Sequence, residues 1–394
     1  MMPVIDLAAE RAQTPGCLDK VFLDSAGSSL PPQPVVETVV AHLRREAEIG
    51  GYLAAAERTD QLAGLPGDLG RLIGCTGDQI ALTDSATRAW DLFVSALPLG
   101  PGDRVLVTGM EYSSNAIALL QRAERDGCRV EVVPSDGDGR IDLAALESML
   151  DERVRLVSLV HIATNSGRVN PAAEVVALAH RVGALVLLDA CQSVGQLAVD
   201  VGALGVDALS ATGRKWLRGP RGTGFLYVRD SVLSRLDPVA ADNRGATWTG
   251  PDRYELRPDA SRFELWESDV AGRLGLKTAV EHLLAIGPAE AERAIRAVAA
   301  TLREGLRDVP GVTIQDAGPD LGGIVSFTVA GRDPDEVREE LGRRKVTVSV
   351  SPAVSTRLDM TERGLEAVVR ASPHYFVSPD DVDAAISAVD SLRR

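Results

Sequence analysis

The sequence predicts an α/β protein, with a large domain on a mostly parallel seven-stranded sheet and a smaller C-terminal α/β domain. Three observations predict it. Between residues 80 and 230, seven short β-rich apolar runs alternate with amphipathic helical patterns. The runs are apolar at successive positions, as in strands covered by helices on both faces. A chain of 394 residues also exceeds what one simple core holds.

In order, the runs are IALT (80–83), RVLVTG (104–109), RVEVV (129–133), RLVSLV (155–160), ALVLLD (184–189), DALSA (207–211) and GFLYV (224–228). Helical patterns such as NAIALLQRAERDG (115–127) and PAAEVVALAHRVG (171–183) separate them. A polar Gly/Pro/Asp-rich stretch (237–260) precedes a helical region from about 269 to 308, broken near Gly287-Pro288. Next come a strand (322–330), a helix opened by Asp333-Pro334, a strand (345–350), another at 367–371 and a helix from Ser378. The expected division is an N-terminal arm (1–20), a large domain (21–260) and a small domain (261–394).

Composition narrows the function classes. A net charge of −14 argues against a nucleic-acid or anionic-membrane surface. The four cysteines (Cys17, Cys75, Cys128, Cys191) and five histidines are scattered without metal-ligand spacing, so no metal is expected. The N-terminus lacks the pattern of a signal peptide, and no apolar stretch reaches membrane-spanning length. The expectation is a cytoplasmic protein acting on a small molecule.

Ligands of open parallel sheets sit at the carboxyl ends of the strands, and three polar clusters fall there. Asp84-Ser85-Ala86-Thr87 follows the first run and opens a helix; its free amides suit a phosphate, or Ser85 caps its own helix. Asp189 ends a five-residue apolar run, where a buried carboxylate needs a partner such as a protonated ring nitrogen, or caps a turn. Cys191 beside it reads as a small packed residue. The third cluster is SATGRKWLRGPRGTGFLYV (210–228). Only four of the 42 Lys and Arg residues are lysines, and Lys215 lies among Thr212, Arg214 and close-approach glycines. Arginine stays charged, whereas lysine can lose its proton and act as a nucleophile toward an aldehyde.

The segment from Asp189 through Val228 resembles the signature of class V aminotransferases, the cysteine-desulfurase-like branch of fold-type I pyridoxal 5'-phosphate (PLP) enzymes. The likeness runs from LDSAGSSLPP (23–32) to RASPHYF (370–376). It implies that Lys215 carries the cofactor as a Schiff base and moves the Cα proton. Asp189 would pair with the ring nitrogen and Gln192 with the ring hydroxyl. Ser85, Ala86, Thr87, Thr212 and Arg214 would hold the phosphate. Tyr112 takes the place of a stacked aromatic ring. Asn165 matches a residue near the cofactor hydroxyl and the substrate, and Arg370 the arginine that binds the substrate carboxylate. Gly27 and Tyr52 join the substrate side. Family members are dimers with sites at the interface, so a homodimer is expected. RFELWES (262–268) lacks the Gly-Thr usual at the partner-subunit phosphate contact.

The reaction is the least determined part. A desulfurase of this kind uses a cysteine on a loop before the carboxylate-binding arginine, and SPAVSTRLD (351–359) has none. The segment REAEIGGYLAAAE (45–57) resembles ergothioneine-pathway C–S lyases and relatives processing S-conjugated cysteines. The expectation is therefore β-elimination from an S-substituted cysteine, not persulfide-forming desulfuration. Decarboxylation-coupled deamination, epimerisation and transamination are the alternatives, and a non-catalytic binding module is the reading from another class.

Overall fold

The computed structural model describes residues 5–393. Its centre is a seven-stranded sheet of β1 (Ile80–Thr83), β2 (Arg104–Thr108), β3 (Arg129–Val133), β4 (Val154–Val160), β5 (Leu185–Asp189), β6 (Ala208–Thr212) and β7 (Gly224–Val228), in the order β1-β7-β6-β5-β4-β2-β3. Strands β2 to β6 run parallel, and β7 is antiparallel to both β1 and β6. The order reverses between β2 and β4, which opens a crevice at their carboxyl ends.

Burial follows the apolar runs. Every residue of β5, β6 and β7 is buried, so helices cover both faces of the sheet. Full burial of each Leu or Val in these strands contributes roughly 1.5–3 kcal/mol. Asp189 therefore ends a strand whose other residues hold it in place, and a carboxylate there must find donors.

Local signals set the neighbouring elements. The helix Ala86–Ala96 starts at Ser85, whose Oγ accepts from the Arg88 N–H at 3.1 Å. Gly224 opens β7 against this turn; a Cβ there would lie 2.6 Å from the Ser85 carbonyl carbon, so only glycine fits. The helical region beyond 269 breaks where expected, into Val270–Ile286 and Pro288–Arg307, with Gly287 between them at a φ of 93°.

The second sheet is antiparallel: β8 (Val312–Ile314), β9 (Val325–Val329), β10 (Ser349–Pro352) and β11 (Ala367–Ala371), in the order β8-β9-β11-β10. The run expected as one strand over 345–350 divides at Val348. Val346–Thr347 pairs in parallel with Val21–Phe22, whereas Ser349–Pro352 pairs with β11. The segment just after the N-terminal arm is thus stitched to the C-terminal part of the chain. The helix Val270–Ile286 packs against the helices Gln33–Ile49 and Thr59–Ile73. Among the described residues no helix is long and apolar enough to cross a membrane.

Candidate active site

Strands β1, β4, β5 and β6 end at one cavity of about 220 Å³. Nine of the residues picked from sequence line it: Ser85, Ala86, Thr87, Tyr112, Asp189, Gln192, Thr212, Arg214 and Lys215. Asp84, Thr164, Cys191 and Arg221 also line it, and sequence reasoning had assigned none of them a ligand role. Each adjoins a residue or glycine turn that had been singled out, so proximity was the one available signal.

Lys215 is buried, and desolvation lowers its pKa from the usual lysine value. The charges of Arg214 and Arg370 push the same way, while Cys191 and Asp189 oppose them. Burial and arginine neighbours thus favour the neutral amine, the form that attacks an aldehyde. Cys191 is within hydrogen-bonding reach of Lys215, but burial raises its thiol pKa and keeps it protonated.

The two oxygens of Asp189 accept from neutral donors: Asn115 Nδ2 at 2.9 Å on Oδ2 and the Cys191 N–H at 3.0 Å on Oδ1. A buried carboxylate on a cavity wall with only neutral donors fits a cationic ring nitrogen. Across the cavity, the start of the helix Ala86–Ala96 presents backbone N–H groups beside Arg214 and Arg221, which suits a phosphate. Ser85 Oγ caps that helix and donates to Asp84 at 2.8 Å, so the cap and the anion site share one turn. Thr212 donates to the Thr223 carbonyl at 3.1 Å. The residues present therefore fit PLP.

Gln192 bridges the two ends of the site. Its Oε1 accepts from Trp216 Nε1 at 2.9 Å, and its Nε2 donates to the Ala26 carbonyl at 3.2 Å and to Thr164 Oγ1 at 3.3 Å. Arg370 is buried at the next position out. It donates to Thr164 Oγ1 at 2.9 Å, to the Thr164 carbonyl at 3.0 Å, to Ser349 at 3.1 Å and to Asp24 at 3.2 Å. Gly27 joins this end through its carbonyl, which accepts from Arg214.

Besides Arg370 and Gly27, two more sequence-predicted residues do not line the cavity. Asn165 does not line the cavity; its Nδ2 donates to Asp359 at 2.7 Å, and the preceding Thr164 takes the place at the wall. Thr164 and Asn165 sit together in a turn, where neighbouring side chains point apart, so a one-residue offset in matching decides which of them meets the cavity. Tyr52 is 83% exposed and lines a different groove, beside Trp266.

A buried hub holds the loop that carries Lys215. Arg218 has a φ of 60°, in the left-handed region rare for a side-chain-bearing residue. It is held there by the Leu30 carbonyl at 2.9 Å, the Tyr375 hydroxyl at 2.9 Å, Glu10 at 3.3 Å, Thr14, and the faces of Tyr375 and Phe376. The N-terminal arm and the C-terminal part of the chain thus converge three residues after Lys215.

Residues 21–385 match the aminotransferase class-V family model. The chain belongs to that family. A probable cysteine desulfurase of Methanothermobacter thermautotrophicus is 30% identical over 381 residues, covering 94% of each chain. The cysteine desulfurase of Thermococcus onnurineus NA1, solved in its apo form, superposes with a TM-score of 0.91 at 25% identity, covering 100% of this chain and 99% of that one. The cystine C–S lyase C-DES, solved with its product cysteine persulfide, gives a TM-score of 0.86 at 26% identity, covering 96% and 99%. Membership makes the protein a PLP-dependent enzyme of fold type I.

The relatives correct one expectation. The absence of a loop thiol had excluded persulfide-forming desulfuration in favour of β-elimination from an S-substituted cysteine. Most of the similar proteins, the Methanothermobacter and Thermococcus ones among them, are named cysteine desulfurases, so that exclusion and the β-lyase assignment both fall. The physical reason is that the missing cysteine concerns where sulfur goes, whereas labilising Cα depends on residues that are present. Residues 351–359 fold into the end of β10, a 3-10 turn (Ala353–Thr356) and the start of the helix Arg357–Glu362, with Thr356 and Asp359 buried.

Proposed function

We propose that this class-V enzyme acts on cysteine, releasing alanine and passing the sulfur to a thiol other than a cysteine of segment 351–359. The observation that carries the reading is a buried, neutral-leaning Lys215 on the cavity wall with a buried Arg370 near enough for its charge to act on it. The names of the relatives support the choice of substrate.

Arg370 binds the substrate carboxylate by its guanidinium fork, in competition with Asp24. Lys215 Nζ takes the Cα proton and returns a proton to the product. Asp189 would keep the ring nitrogen of the cofactor protonated, and Ser85, Ala86, Thr87, Thr212 and Arg214 would hold its phosphate, with Arg221 beside them. Tyr112 would cover the ring face, and Gln192 would meet the ring hydroxyl. When bound, PLP supplies an electron sink for the pair left at Cα. The balance is cysteine plus a thiol giving alanine plus a persulfide: the C–S bond breaks, an S–S bond forms, and the methyl carbon gains hydrogen.

We also infer a homodimer working in the cytoplasm, with residues 21–260 forming the large domain and 261–394 the small one. Tyr52, Trp248, Tyr254, Leu265 and Trp266 are exposed, and an apolar set of this size suits a second copy of the chain. Holoenzyme incubated with cysteine and a small dithiol tests the reaction. Alanine and sulfide should form in equal amounts. Pyruvate and ammonia in place of alanine would overturn the proposal.

A further inference from the structure

A second buried carboxylate adjoins Asp189, and the chemistry above does not use it. Glu111 follows β2 in a turn closed by its N–H on the Thr108 carbonyl at 3.1 Å, and it is 2% exposed. Its partners are all neutral donors. The Tyr112 N–H and Asn115 Nδ2 reach Oε1 at 3.0 and 2.9 Å, and Ser158 Oγ reaches Oε2 at 2.8 Å. The same Asn115 nitrogen donates to Asp189 Oδ2 at 2.9 Å. Both hydrogens of one amide therefore bridge two carboxylates.

The groups facing Glu111 come from three elements: Asn115 from the helix Ser113–Asp126, Ser158 from β4 and Asp189 from β5. Asp189 is the one charged group among them. Two buried carboxylates this close, with no cation between them, disfavour double ionisation. Burial pushes Glu111 up to about 7 and the Asp189 charge adds to it, while Asn115, Ser158 and the Tyr112 N–H pull the other way.

We propose that Glu111 is a positioning residue for the cofactor: through Asn115 it aims Asp189 at the ring nitrogen, and by gaining or losing one proton it sets the negative charge at that end of the cavity. The proposal rests on the cofactor and not on the choice of substrate. Below its pKa Glu111 is neutral and Asp189 acts alone. Above it, a second negative charge stands one amide away and favours the protonated ring.

The test follows the visible cofactor band of the holoenzyme from about pH 5.5 to about pH 9. The unmodified enzyme should show a spectral step near neutrality, and Glu111→Gln, which keeps the shape but cannot ionise, should lack it. The ratio of the two cofactor dissociation constants should be about one below the step and rise to about tenfold above it. Ser158→Ala removes a donor to the charged form and should move the step to higher pH. Identical titrations in the enzyme and Glu111→Gln, or a ratio that does not change with pH, would overturn the proposal. If Glu111→Gln fails to hold the cofactor, Ser158→Ala decides: an unmoved step is equally fatal.

Discussion

Where the cofactor would sit, the functional side chains come from neighbouring strand ends and the turns that follow them: Asp189 and Thr212 at the ends of β5 and β6, Lys215 after β6 and Ser85 after β1. At the Arg370 end they come from segments far apart in the chain, with Asp24 and Thr164 on Arg370 of β11 and Ser349 of β10. The first end is a product of sheet topology and is rigid because the strands are buried. The second exists only when the N-terminal segment, the central sheet and the second sheet are docked together. Cofactor chemistry can therefore stay fixed in such a fold while the substrate end varies by small changes in three segments.

Removing Lys215 should break the comparison most completely. Lys215→Ala should abolish the Schiff base, so borohydride treatment traps no covalent cofactor, and turnover should fall by about 100- to 10 000-fold or more. A variant that still gives a reducible adduct would place the reactive amine on another residue. Arg370→Ala should leave the visible cofactor band intact and weaken substrate binding by ~2–4 kcal/mol, a rise in KM of roughly 30- to 700-fold. Equal loss of cofactor and substrate affinity would show that the two ends are not separable.

How much was legible in the sequence follows the same line. Asp189 and Lys215 stood out because a charge at the end of an apolar run, and a lysine among arginines, are costly or unusual wherever the chain folds. Six of the seven strands were legible because their burial leaves apolar runs, whereas the edge strand β3, exposed or half-buried up to Val133, was legible by its β-rich alternation. Glu111 and Asn115 were not, since polar residues at the start of a helix look like ordinary surface positions until β4 and β5 are packed over them. The division at Val348 was invisible for a related reason: β-propensity marks extended backbone but not the partner, and here Val21–Phe22 and Ala367–Ala371 compete for one run. Tyr52 looked like a substrate contact by resemblance, and within one chain it faces solvent.

The finest distinction is between Thr164 and Asn165, neighbours that the resemblance and the structure rank oppositely. Thr164 Oγ1 accepts from the Arg370 guanidinium and from Gln192, so Thr164→Val loses a charge-assisted hydrogen bond, although the Thr164 carbonyl still holds Arg370. The expected cost is about 1–2 kcal/mol in substrate binding, a roughly 5- to 30-fold rise in KM with the cofactor band unchanged. Asn165 instead ties its loop to Asp359, which keeps Arg363 at 3.1 Å and Arg168 at 3.5 Å, and its own Oδ1 has no hydrogen-bond partner. Asn165→Ala should therefore lower stability by about 1 kcal/mol, a fall in Tm of roughly 1–2 °C, with KM unchanged. The reverse pattern, KM rising in Asn165→Ala and steady in Thr164→Val, would return Asn165 to the substrate and show that the bound state turns this loop over.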